Sequence, residues 1–189
     1  MGVDVCDKHA DAAPDKPALI VADPEGEDTT FSFSQLKTLS NQLANLLIAK
    51  GVERRDRVGI FLSQSIETAI SHVAAWKLGA ISVPLFTLFG EDALRFRLRD
   101  SGTRLLITDI DQLHKLEKIR DDLPDLKDIL VVGAGKNSSN FLDFWTGMTI
   151  AKSKLTPVRT SSEEPAFISY TSGTTGNPKG ALHAHRTMF

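Results

Sequence analysis

Short apolar runs alternate along the chain with longer stretches whose apolar residues recur every three or four positions. That alternation of strand and helix periods predicts an α/β fold. Pro17 to Ala22 and Thr29 to Phe33 read as two strands around a polar turn at Pro24-Glu25-Gly26. Ser34 has the residue type of a helix N-cap, and Leu36, Leu39, Leu43, Leu46 and Leu47 follow it as one apolar stripe. Gly51 suits the left-handed residue that ends such a helix. Arg57 to Leu62 reads as a buried strand, and Ile66 to Leu78 as a helix stopped by Gly79. Ala69, Ala74 and Ala75 predict a close neighbour for that helix. Ile81 to Leu85 is a further strand; Pro84 cannot donate to a ladder, so it predicts an edge or strand-end position.

Ala93 to Asp100 carries two periods at once. Leu94, Phe96 and Leu98 alternate with Arg95, Arg97 and Arg99 as in a strand, while Glu91 and Asp92 suit the first turn of a helix. A helix is expected, with the arginines on a solvated face. Leu105 to Thr108 and Ile129 to Val132 read as strands, Asp111 to Asp121 as a helix, and Gly133 to Asn140 as a loop rich in Gly, Ser and Asn. A second loop, Thr156 to Pro165, leads into a strand at Ala166 to Tyr170.

Composition narrows the function classes. The 189 residues carry a formal charge of -2, which disfavours nucleic acid as the main partner because a phosphate backbone demands a basic face. The acid-rich stretch Asp4 to Asp28 is expected to be solvated surface. A single cysteine, Cys6, allows no internal disulfide and suits a reducing compartment. Asp4, Asp7 and Asp11 interrupt any apolar leader, and no run reaches the length that spans a bilayer, so a cytoplasmic protein is expected.

Candidate chemistry concentrates in Tyr170-Thr171-Ser172-Gly173-Thr174-Thr175-Gly176-Asn177-Pro178-Lys179-Gly180. An apolar strand runs directly into hydroxyls, glycines and one lysine. Gly173 and Gly176 allow sharp turns and close backbone approach, so that N–H groups can face anionic oxygens. Thr171, Ser172, Thr174 and Thr175 add hydroxyls, any of which can meet a magnesium ion, and Lys179 adds a full positive charge. The stretch lacks the closing Gly-Lys-Ser/Thr of a Walker loop, which argues against transfer of a γ-phosphate. Elsewhere, Gly133-Ala134-Gly135-Lys136-Asn137-Ser138 only half matches a dinucleotide fingerprint and is better read as a surface loop. His183 and His185 lack further ligands at metal spacing, and Trp76 and Trp145 read as packing residues.

Tyr170 to Gly180 resembles the phosphate-binding signature of the adenylate-forming superfamily. Phe33-Ser34-Gln35-Leu36, Asp56-Arg57-Val58-Gly59-Ile60 and Ala74 to Leu85 fall in that superfamily's order, and Phe86 to Ser101 is most similar to acetate- and medium-chain-type acyl-CoA synthetases. The resemblance implies ATP-dependent activation of a carboxylate to acyl-AMP, then thioester formation with coenzyme A, with magnesium as the metal. It gives Thr171, Ser172, Gly173, Thr174, Thr175, Gly176 and Lys179 the role of holding the β- and γ-phosphates; no metal ligand is assigned, and Thr174 is a candidate magnesium contact among the hydroxyls. It also implies that residues 1–189 are the N-terminal part of an AMP-binding domain, that a mobile C-terminal domain and most catalytic groups lie beyond Phe189, and that this stretch alone is inactive. A carrier-protein adenylation domain, a luciferase-like enzyme and a non-enzymatic phosphate-binding module stay open. His183 falls near the acyl or nucleotide site by resemblance, while its own context reads equally as a histidine packed at a helix start. Relatives often carry glycine where Arg55 stands, which marks that turn as a departure.

Overall fold

A computed structural model describes residues 1–23, 25–171 and 176–188. The chain starts with a π-helical turn, Val3–Asp7, that runs into the short helix α1 (Lys8–Ala12). Strands β1 (Pro17–Val21) and β2 (Thr29–Ser32) form an antiparallel pair. Strand and helix then alternate through α2 (Phe33–Ala49), β3 (Arg57–Phe61), α3 (Ile66–Lys77), β4 (Ile81–Pro84), α4 (Glu91–Ser101), β5 (Leu105–Asp109), α5 (Leu113–Glu117) and β6 (Asp128–Val132). The short strand β7 (Leu142–Asp143) leads into α6 (Phe144–Thr149), and an irregular strap brings the chain to the pair β8 (Pro165–Thr171) and β9 (Lys179–Ala184).

Among the described residues the main sheet has the order β7-β6-β5-β3-β4-β8-β9, parallel throughout except between β8 and β9. Because β4 lies on one side of β3 and β5 on the other, the connections α3 and α4 take opposite faces. Burial follows the period of two. Val58, Ile60, Leu105, Ile107 and Leu130 join the core built on α2 and α3, whereas Phe61, Leu106, Ile129 and Val131 join the core under α4 and α5. Gly59 faces α4, where an added Cβ would lie 2.6 Å from Leu106 Cδ1 and 3.0 Å from Thr103 Cγ2. The Leu98 side chain of α4 would lie 3.4 Å from the same Cβ, so the missing side chain leaves room for these three residues over the sheet.

Strands β1 to β6 and β8, helices α2 and α3, and the helix expected at Ala93 to Asp100, which runs from Glu91 to Ser101, follow the sequence expectations, whereas β7 and β9 are not among them; Pro84 closes β4 at its exposed end. Gly51 and Gly79 take positive φ after their helices, at 73° and 67°. Pro24, in the expected polar turn, lies outside the described residues.

Several expectations need correction. The cap of α2 is Ser32, whose side chain accepts from the Gln35 N–H while the Gln35 side chain accepts from the Ser32 N–H. This reciprocal box satisfies two orphan donors, more than Ser34 can from inside the first turn. The Asp111–Asp121 helix breaks into a 3₁₀ turn, α5 and a second 3₁₀ turn. Leu113 and Leu116 of α5 and Ile119 just after it are all buried. Residues 179–184 form a strand, so His183 lies in β9 and the chain turns 3₁₀-helical only at His185–Met188. The acid-rich stretch is not all solvated, since Asp7 is buried against Lys77 at 2.6 Å. Arg97 departs from its solvated face and is 7% exposed. No described helix is long and apolar enough to cross a membrane.

Candidate phosphate-binding site

Strand β8 pairs with β4 in parallel through Ser82 and Phe167, so its carboxyl end emerges on the same edge of the sheet as the carboxyl ends of β3 and β4. Ligands of open α/β sheets bind beyond that edge. The antiparallel return β9 places Lys179 opposite Thr171, and both are exposed. The residues between them therefore begin and end at one point, the carboxyl edge. Ser172, Gly173, Thr174 and Thr175, four of the expected phosphate ligands, lie outside the described residues. Gly176 has φ of +93° and no heavy atom within 4 Å of a would-be Cβ, so it uses the conformational freedom of glycine in open space. Thr171, Gly176 and Lys179 thus supply a hydroxyl, an unobstructed backbone and a cation at the ligand edge. This set suits a polyphosphate and its hard counter-cation.

The root of this loop is held firmly. Gly180 lies under the Tyr170 ring, where a Cβ would fall 3.2 Å from Tyr170 Cζ. The Tyr170 hydroxyl donates to Asp100 Oδ2 at 2.7 Å, with the Arg97 carbonyl at 3.2 Å. Burial, reinforced by the bond to Asp100 and its charge, pushes the phenol well above its ordinary range, so Tyr170 stays a neutral donor.

A cavity of about 110 Å³ opens beside that root, with His72, Thr68, Phe86, Phe89, Ser169 and Tyr170 in its wall. His72 packs against Trp76 with ring centroids 5.4 Å apart, and its Nδ1 is buried without a partner. Desolvation lowers its pKa to about 4, so the ring is neutral at pH 7. Two of the lining aromatics belong to the loop after β4, in which Phe86 is 70% and Leu88 94% exposed.

His183 stacks face to face on Phe167, with centroids 4.5 Å apart and planes 7° from parallel. It packs on the strand it pairs with rather than at a helix start. His185 is buried with both ring nitrogens unpartnered, and desolvation lowers its pKa. Among the described residues no group of three or more His, Cys, Asp or Glu is arranged to hold a metal. Cys6 is buried and its thiol is pushed up to about 11 by desolvation, so it is no nucleophile. The Gly133–Ser138 loop serves local structure, with the Gly135 N–H donating to Asp143, the cap of α6. Trp76 and Trp145 pack as expected, and each indole donates inward, to Ser82 and Ala166 or to Glu67. Sequence reasoning missed Arg97, Asp100 and His72 as site neighbours, because Leu-Arg alternation and a lone histidine carry no signal of what packs on them.

A doubly wound, mostly parallel sheet with the ends of a glycine- and hydroxyl-rich stretch at its carboxyl edge is an α/β architecture of the class that takes ligands beyond that edge. The family model described as "AMP-binding enzyme" matches residues 6–189, and the chain belongs to that family. It is 34% identical over 185 residues to the acetyl-coenzyme A synthetase of Bacillus subtilis, covering 96% of this chain and 32% of that protein. It is 36% identical over 194 residues to acetyl-coenzyme A synthetase 2 of Candida glabrata, covering 94% and 28%. Among solved structures, the anthranilate CoA ligase AuaEII in complex with anthranoyl-AMP superposes with a TM-score of 0.89 at 31% identity, over 98% of this chain and 35% of that one. The Brucella canis acyl-CoA synthetase superposes with a TM-score of 0.88 at 25% identity, over 99% and 33%. The chain spans about a third of the length of these relatives.

Proposed function

We propose that residues 1–189 are the N-terminal portion of the adenylation domain of an AMP-forming acyl-CoA synthetase, ending just past its phosphate loop, in a longer cytoplasmic enzyme with a mobile C-terminal domain. The observation that carries this reading is the pairing of Thr171 with Lys179, which brings both ends of the hydroxyl- and glycine-rich stretch to the carboxyl edge of the sheet. In the proposed reaction a carboxylate oxygen attacks the α-phosphorus of ATP, the bond to the β-phosphate breaks, and pyrophosphate leaves. The thiol of coenzyme A then attacks the acyl carbon, the acyl–phosphate bond breaks, AMP leaves, and the thiol proton is released.

Thr171, Ser172, Gly173, Thr174, Thr175, Gly176 and Lys179 hold the β- and γ-phosphates, so their charge stabilises the departing pyrophosphate. A magnesium ion, when bound, neutralises part of the polyphosphate charge, and Thr174 is the hydroxyl proposed to reach it. His183 stands on the strand that returns from the loop, as a neighbour of the nucleotide or acyl site. The names of the most similar relatives favour a short aliphatic acid, within the short- to medium-chain range.

ATP–pyrophosphate exchange by the longer enzyme with candidate acids tests the reading. Exchange dependent on a short or medium-chain acid is expected, and Lys179→Ala should lose about 1.5–3 kcal/mol of transition-state stabilisation, the worth of a charge-assisted bond. The same substitution leaves thermal stability unchanged, since Lys179 is exposed. Exchange indifferent to Lys179→Ala would reject the phosphate role. The 189-residue chain alone forms no thioester, and thioester made by it from any carboxylate would contradict that part.

A further inference from the structure

Arg97 sits in α4 with 7% of its surface exposed, and its guanidinium makes one described hydrogen bond, from Nη1 to the Ala93 carbonyl at 2.8 Å. Its Nε is buried without a partner. Two aromatic faces take the place of a carboxylate. The guanidinium carbon stands 3.9 Å from the centre of the Phe89 ring and 5.6 Å from that of Tyr170. The negative face of each ring attracts the cation, most strongly where water is excluded.

These two rings belong to different ligand-edge segments. Tyr170 immediately precedes Thr171, at the root of the phosphate loop. Phe89 ends the exposed loop after β4, and its ring meets Phe86 edge-on at 5.6 Å. One turn of α4 therefore grips both. The Arg97 side chain lies against both rings, and Asp100 and the Arg97 carbonyl take the Tyr170 hydroxyl. Lys115 fixes only the backbone of the second loop, through the Thr87 and Phe89 carbonyls at 2.8 and 3.2 Å.

We infer that Arg97 is a positioning residue, a clamp that sets the root of the phosphate loop against the loop after β4, so that anion binding at the first is coupled to the packing of the second. The inference rests on the phosphate-loop reading. A lysine cannot replace the clamp fully, because a point charge lacks the flat guanidinium that stacks on a ring.

Tyr170 is the single tyrosine of the chain, so 3-fluorotyrosine gives one fluorine resonance at the clamp. In the 189-residue chain, Arg97→Met is expected to move that resonance and to weaken magnesium pyrophosphate binding about tenfold, a coupling of ordinary allosteric size, although residue 97 touches no phosphate in the proposed site. Arg97→Lys restores part of the affinity. Phe89→Leu removes one of the two rings and moves the resonance in the same sense, which keeps the test decisive if Arg97→Met does not fold. Lys179→Ala weakens pyrophosphate binding and leaves the resonance in place. Unchanged affinity and resonance in Arg97→Met or in Phe89→Leu would overturn the clamp. Failure of the wild type to bind pyrophosphate, or binding indifferent to Lys179→Ala, would instead overturn the phosphate-loop reading.

Discussion

Lys77 and Arg97 are both buried cations, yet the protein treats them in opposite ways. Lys77 lies at the end of α3, near the amino edge of the sheet, where a carboxylate, a hydroxyl and an amide oxygen surround its ammonium. It pairs with Asp7 at 2.6 Å and donates to Ser40 Oγ at 2.9 Å and Asn41 Oδ1 at 2.7 Å. Its own carbonyl accepts from Val158 N–H at 2.8 Å, and Asn41 Nδ2 donates to the Ser153 carbonyl at 3.0 Å. One ammonium thus ties the first helical turn, α2, α3 and the strap before β8 together. Arg97, toward the carboxyl edge, is left with aromatic faces and spare donors. The difference lies in how each cation is met, by an ion pair and polar oxygens at Lys77 and by aromatic faces at Arg97. Buried polar atoms without a hydrogen-bond partner occur at both edges, Arg97 Nε and His72 Nδ1 toward one, Asp7 Oδ1 and both ring nitrogens of His185 at the other.

The contrast breaks most visibly at Lys77. Lys77→Met leaves Asp7 buried without its counter-ion and should cost about 3–5 kcal/mol in urea denaturation. Adding Asp7→Asn to Lys77→Met should recover part of that loss. Arg97→Met should cost only about 1–2 kcal/mol, because it forfeits the ring contacts but also removes an unpaired buried donor. Equal losses at the two sites would erase the distinction.

The carboxyl edge can also be read by pH. Burial holds the His72 pKa near 4 in the folded chain, below its ordinary value of 6.5. The unfolded chain therefore binds a proton first, and stability falls as pH drops from 6.5 toward 4. His72→Leu should reduce the slope in that interval and leave the part that comes from His185, whose pKa desolvation also lowers. It should leave the steeper loss at lower pH, where Asp143 and Glu164, whose folded pKa values are lowered, take up protons. A smaller effect is expected at Arg55, the one described non-glycine residue with positive φ, at 70°. Arg55→Gly removes the clash of a Cβ in the left-handed region and should stabilise by about 0.5–1 kcal/mol, measured as a rise in the urea midpoint.

Arg55 also marks what a sequence discloses. The resemblance marks Arg55 as standing where relatives often carry glycine and leaves the conformation of that turn open; the backbone keeps the left-handed geometry despite the side chain. The leucine stripe of α2 and the doubly buried strands were legible, because period and burial leave a direct pattern. The buried Asp7 was not, since its partner lies 70 positions away at Lys77. Nor was β9. Gly180-Ala181-Leu182-His183 carries weak strand propensity, and its register comes from pairing with Phe167 to Thr171 rather than from its own residues. For the site, the anion chemistry of the loop could be read directly from residue types. The clamp could not, because Leu-Arg alternation on α4 does not say which arginine meets an aromatic face.

The central claim is that the loop after β8 serves attack on the α-phosphate of ATP by a carboxylate. The direct test supplies the longer enzyme with ATP, coenzyme A and a carboxylic acid labelled with oxygen-18, and reads the products by mass spectrometry. The account predicts label in the phosphate of AMP and none in pyrophosphate, because the attacking carboxylate oxygen stays on phosphorus when the thiol displaces AMP. Label in inorganic phosphate together with ADP would mean transfer of the γ-phosphate, and would contradict the account.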